Sequence, residues 1–199
     1  AIALRLVGSE MCIRDSFGNI VGHAKGVSDP ASLSTWTAEQ FDPSLDWDKV
    51  ARIVKEWNGK VILKGIMDVR DAQMALKVGA DAIVVSNHGG RQLDGALSSI
   101  KALPAIIDAV GDQIEVHMDG GIRSGQDVLK ALSLGAKGTY IGRSFVYGLG
   151  AMGQAGVTRA LEVIHKELDI SMALCGHRHI DQLSRDTLLI PKDFQGDWA

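Results

Sequence analysis

From Lys60 onward, short apolar runs alternate with amphipathic stretches. The runs are Val61–Lys64, Ala82–Ser86, Glu115–Asp119 and Gly138–Gly142, each followed by glycine or a polar turn and then by a helical pattern. Short, nearly all-apolar strands set between helices predict a parallel sheet buried on both faces. Asp68 is the expected N-cap of a helix running to about Val78, with Asp71 at capping-box spacing and Gly79 as a left-handed stop. Ser124, Asp127 and Gly135 repeat that start and stop. LKVGADAIVVSN (Leu76–Asn87) and LSLGAKGTYIGR (Leu132–Arg143) are nearly parallel in text, each a helix end, a glycine and a strand. The repeating unit is therefore βα.

Around this rhythm the pattern is less regular. Trp47–Trp57 predicts an amphipathic helix capped at Asp46, and Phe17–Ser44 is loop-rich. Gly150–Leu168 predicts a long helix, His179–Ser184 a short one, and Pro191–Ala199 an extended arm. Pro104 is expected to start a helical turn after Leu103. Four βα units are half of an eightfold barrel or most of a small open sheet. A (β/α)₈ barrel needs about 250 residues, so a barrel reading implies upstream units beyond these 199 residues. Residues 1–16 share no period with the rest of the chain and are expected to be an unrelated leader, with 17–199 forming part of one domain. Such a piece is expected to expose sheet edges and to be poorly stable alone.

Composition narrows the class. Hydrophobic residues make up 46% and charged residues 23%, which excludes global disorder. Aromatics are 5% against 23 glycines, so aliphatic side chains must build the core, as suits an α/β fold. Net charge is −3, which gives no reason to expect nucleic acid as a partner. No apolar run approaches a spanning helix. Two cysteines make no disulfide framework, and a reducing, cytoplasmic setting is expected.

In this architecture function sits at the C-terminal ends of the strands. Those ends are Lys64-Gly65, Ser86-Asn87-His88-Gly89-Gly90-Arg91, Asp119-Gly120-Gly121-Ile122-Arg123 and Gly142-Arg143. The last two predict a phosphate site: Gly120 and Gly121 offer backbone N–H groups, Arg123 and Arg143 offer guanidinium forks, and the helix starting near Gly125 is expected to aim its N-terminus there. His88 can take a proton near neutral pH, and Arg91 can hold a carboxylate. Together they imply an anionic substrate that loses a proton. Lys64 ends a strand at a barrel lining, where it could form a Schiff base or stabilise negative charge on a cofactor. Cys175, His177 and His179 fall short of a metal's ligand count, so no metal is expected. Asp94 suits a turn at least as well as catalysis, and His117 suits the core.

The run SNHGGRQLDGALSSIKALPAI (Ser86–Ile106), with DGGIRSG (Asp119–Gly125) and IGR (Ile141–Arg143), closely resembles the FMN-dependent α-hydroxy acid dehydrogenases and oxidases. FDPSLDW (Phe41–Trp47) and VILKGI (Val61–Ile66) fit the bacterial L-lactate dehydrogenase subgroup. The resemblance implies the C-terminal half of an FMN-binding TIM barrel. It implies His88 as the base and Arg91 as the substrate-carboxylate ligand. Lys64, Ser86 and Asp119 would contact the cofactor, and Gly120, Gly121, Arg123, Gly142 and Arg143 would hold its phosphate. The implied reaction oxidises an L-2-hydroxy acid, foremost lactate, to the 2-oxo acid while two electrons pass to FMN. The implied acceptor is a quinone of the respiratory chain or oxygen. A homotetramer and peripheral attachment to the cytoplasmic membrane face are further expectations. The family also uses upstream tyrosines and an aspartate that Tyr140 and Tyr147 do not match. The alternatives are a non-catalytic fragment that binds FMN weakly or not at all, and another phosphate-binding barrel enzyme.

Overall fold

The computed structural model describes residues 25, 26, 32, 33, 35, 36, 44–191 and 194. The chain divides into two compact units, Ala1–Asp46 and Trp47–Ala199. In the first, 25–26 form a turn and 32–33 and 35–36 are helical. The expected leader, His23 and most of the loop-rich stretch lie outside the described residues.

The second unit opens with α1 (Trp47–Glu56) and continues as β1 (Ile62–Ile66), α2 (Val69–Lys77), β2 (Ala82–Val85), α3 (Ser99–Val110), β3 (Glu115–Asp119), α4 (Gly125–Ser133), β4 (Gly138–Tyr140) and α5 (Arg143–Leu174). All three strand pairings are parallel, in the order β1-β2-β3-β4. Among the described residues β1 and β4 each have one sheet neighbour. The βα rhythm is thus realised strand by strand.

Local chemistry explains most boundaries. The Asp68 carboxylate accepts from Arg70 N and starts α2. Ser124 and Asp127 form a full capping box at the start of α4. Gly79 and Gly135 take positive φ and stop those helices. Several boundaries differ from expectation. β1 runs on to Ile66, two residues past Lys64. β4 stops at Tyr140, two residues short of Gly142. Pro104 lies inside α3, buried, where it forgoes one backbone hydrogen bond. The last long helix begins at Arg143, directly after β4, and reaches Leu174 with a break at Met152 and Gly153. Glycines at 148, 150 and 153 obscured its start, because each lowers helix propensity by about 1 kcal/mol without forbidding the helix.

The core lies between the sheet and its helices. Ile83, Val85, Val116 and Met118 project from one sheet face onto Ala72, Ala75, Leu103, Ile106, Val110 and Leu134. Strand alternation sends their neighbours to the opposite face. β2 is apolar and buried on both faces, as expected, but β3 is not. Its second face carries Glu115, His117 and Asp119, so polar groups line the side of the sheet away from the helices. His117 stacks on Tyr140 with ring centroids 5.6 Å apart and lies 3.2 Å from Glu115.

Candidate active site

The four strand ends meet at one cleft of about 550 Å³, whose lining includes Lys64, His88, Arg91, Asp119, Arg123 and Arg143. Gly120, Gly121 and Gly142 also line it. Ser86 is buried immediately beneath and reaches the cleft through Lys64. All ten residues singled out from sequence therefore belong to one site.

Register explains the arrangement. Lys64 pairs with Val84 of β2, and Val84 pairs with His117 of β3. Asp119 follows His117 by two residues and so shares its face. The Lys64 ammonium spans the width of β2, donating to Ser86 Oγ at 2.9 Å and pairing with Asp119 Oδ2 at 2.9 Å. The cost of confining a lysine within a strand is thus met by a carboxylate. The second carboxylate oxygen, Asp119 Oδ1, is buried with no protein partner. Such an oxygen calls for a hydroxyl or N–H donor from outside the protein.

His88 sits in the short 3₁₀ turn His88–Gly90 with a left-handed φ of 56°. Ser86 Oγ accepts from His88 N at 3.2 Å, and Asn87 Oδ1 accepts from Gly89 N at 3.0 Å. Gly65, itself at positive φ, makes room for the ring, since a Cβ there would stand 3.0 Å from His88 Cε1. His88 and Arg91 are both exposed at the cleft. Asp94, in contrast, accepts from Gly95 N in an exposed turn, as a turn role requires.

The anion-binding side is built from two turns. Gly120 and Gly121 both take positive φ, a backbone that glycine adopts without strain and that lets main chain approach a ligand closely. Ser144 Oγ donates to Ile122 O at 3.4 Å, tying the turn after β3 to the start of α5. Arg143 Nη2 donates to Gly89 O at 3.1 Å, joining the same region to the histidine turn. The helix N-terminus at this place is that of α5, whose N-cap Gly142 has no side-chain cap. The expected contribution from the helix beginning at Gly125 is not realised. Gly125 N donates to Glu167 Oε2 at 2.9 Å, so a carboxylate of α5 already occupies that terminus. Sequence reading passed over Phe145 and Val146, gave Asn87 no role, and weighed Tyr140 only against the family's tyrosines. Tyr140, Phe145 and Val146 line the cleft.

Residues 7–190 match the family of FMN-dependent dehydrogenases. The chain belongs to this family. An L-lactate dehydrogenase of Caulobacter vibrioides is 49% identical over 174 residues, covering 86% of this chain and 45% of that protein. One from Azorhizobium caulinodans is 51% identical over 172 residues, with the same 86% and 45% coverage. Among solved structures, a monotopic membrane protein, (S)-mandelate dehydrogenase, superposes with a TM-score of 0.77 at 34% identity, covering 83% of this chain and 44% of that one. A mandelate oxidase with (S)-4-hydroxymandelic acid gives 0.74 at 44% identity, covering 77% and 43%. The chain thus spans about half the length of the curated relatives it matches. Its four βα units are those of the C-terminal half of a (β/α)₈ barrel, the fold of this FMN-dependent family. Among the described residues, no helix is long and apolar enough to cross a membrane.

The residues present fit the family's cofactor. Two guanidinium groups and two glycine turns suit a phosphate, Lys64 suits an anionic ring edge, and the unpartnered Asp119 Oδ1 suits a hydroxylated linker between them.

Proposed function

We propose that the protein oxidises an L-2-hydroxy acid, foremost L-lactate, to the 2-oxo acid with FMN as cofactor. The observation that carries this reading is the meeting of Lys64, His88, Arg91 and the two glycine-arginine turns at one cleft. A phosphate anchor, a cation for a reduced ring, a base and a carboxylate ligand are the set such a reaction needs.

Arg91 binds the substrate carboxylate with its planar fork and turns the hydroxyl-bearing carbon toward the cofactor. A ring nitrogen of His88 takes a proton from the substrate, and Arg91 keeps the resulting anion in place. Lys64, aligned by Ser86 and Asp119, would hold its ammonium beside the cofactor and favour negative charge there. Asp119 would take a cofactor hydroxyl, and Gly120, Gly121, Arg123, Gly142 and Arg143 would hold the phosphate. FMN, when bound, supplies the two-electron acceptor.

The curated relatives at 49 and 51% identity are named dehydrogenases, which supports a quinone of the respiratory chain over oxygen as final acceptor. The monotopic (S)-mandelate dehydrogenase supports peripheral attachment to a membrane face.

The test is FMN titration of the chain followed by anaerobic addition of L-lactate. Flavin bleaching by L-lactate, and its loss in His88→Ala with FMN affinity retained, is the expected result. Failure to bind FMN overturns catalysis by this chain and favours the non-catalytic fragment. Equal loss of binding and bleaching in His88→Ala would make His88 a structural residue.

A further inference from the structure

Ser99 opens α3 eleven residues beyond His88 and is only 2% exposed. Its Oγ accepts from Asn87 N at 3.1 Å. Asn87 is the residue on which the histidine turn hangs: its side chain accepts from Gly89 N at 3.0 Å and donates to Leu97 O at 3.2 Å. The backbone on both sides of His88 is therefore tied, on one side through the Asn87 side chain and on the other through Ser99.

That tie has strain to oppose. A non-glycine residue in the left-handed region costs about 1–2 kcal/mol, and His88 is the one such residue among those described. Strain of this kind persists only where surrounding bonds over-determine the backbone. The same hydroxyl also lies against the anion-binding turn. A Cβ on Gly120 would stand 3.0 Å from Ser99 Oγ and 3.0 Å from Asn87 Oδ1. One buried hydroxyl thus bonds the turn that carries the base and lies beside the turn that faces the phosphate, leaving no room there for a side chain on Gly120.

We infer that Ser99 is a positioning residue: its buried hydroxyl locks the Asn87–Gly89 turn, seats Gly120 against it, and so holds His88 in its strained conformation while keeping the anion-binding turn in register. Its role for catalysis rests on the reading of His88 as base. Its hold on the turn does not. Alanine removes the acceptor of Asn87 N and leaves that half-buried donor without its protein partner, whereas threonine keeps the hydroxyl.

The test uses the 199-residue chain labelled with ¹⁵N. In Ser99→Ala the backbone amide signals of His88 and Gly89 should shift and their hydrogen exchange accelerate about tenfold. FMN affinity should fall about tenfold as Gly120 loses its seat. Ser99→Thr should restore both. A purely structural serine would lower the melting temperature and leave the two amides unchanged, and that outcome overturns the inference. Should Ser99→Ala fail to fold, Gly120→Ala applies the converse test. It keeps the hydroxyl but crowds it and Asn87, so unmoved His88 and Gly89 signals would equally overturn the proposal. If the unaltered chain binds no FMN, the functional reading fails while the amide signals still decide the role of Ser99.

Discussion

Lys64 of β1 reaches past β2 to Asp119 of β3, its ammonium 2.9 Å from Oδ2, with Ser86 Oγ at the same distance. Three strands are thereby joined by one cation, which reaches from the middle of β1 to the C-terminal ends of β2 and β3. The second oxygen of the Asp119 carboxylate is buried without a protein partner.

Lys64→Met tests this relationship. The substitution preserves length and apolar stem but leaves Asp119, 17% exposed, without its cation. Stability should fall by about 1 kcal/mol, a small value because the lysine is half-exposed. FMN affinity should fall about tenfold. Urea denaturation and flavin fluorescence titration measure the two effects. Unchanged FMN affinity would remove Lys64 from the cofactor site.

A second outcome concerns Gly125. An added Cβ there would run into the α5 backbone at Glu167 and Leu168. Helix backbones do not yield as flexible side-chain ends do. Gly125→Ala should therefore destabilise the chain by about 2 kcal/mol or more. Glu167→Gln should cost less, about 1 kcal/mol, because the amide oxygen still accepts from Gly125 N while the charge at the helix terminus is lost. Comparison of the two denaturation midpoints checks the order.

The third outcome is a pH dependence at the other end of the strands. Asp81 accepts from Lys60 Nζ at 2.6 Å and from Val61 N at 2.8 Å. These bonds, the lysine's first, hold its carboxyl below the usual carboxylate range. The Asp81 partner holds the Lys60 ammonium above its usual value. Asp81 therefore stabilises the fold above its unfolded pKa of about 3.9, and that stability is lost as pH falls through the lower folded value. Lys60 contributes fully below its unfolded pKa of about 10.4 and loses its contribution as pH rises through the higher folded value. Asp81→Asn should lower the melting temperature between about pH 4 and 10. The gap to the unaltered chain should close toward either extreme. A gap independent of pH would show that the charge on Asp81 does not carry the effect.

The βα repeat was legible because each unit is local. Capping residues, stop glycines and apolar runs act within a few positions of one another, and the Ser124–Asp127 capping box and the Gly79 and Gly135 stops occur where the sequence places them. The candidate site was legible for the same reason. A parallel sheet collects every strand end on one side, so residues at four separate ends had to meet.

Local sequence thus dictates the order of elements, the face each strand residue takes, and which polar groups arrive at the cleft. The pairing of those groups is a matter of tertiary packing. Glu167 takes the N-terminus of α4 from 42 positions away, Arg143 reaches Gly89 across 54, and Ser99 rather than a neighbour of His88 holds Asn87 N. No local rule contains those partners. They depend on how helices pack against the sheet, and packing is set by the sum of many side-chain volumes rather than by any short stretch of chain.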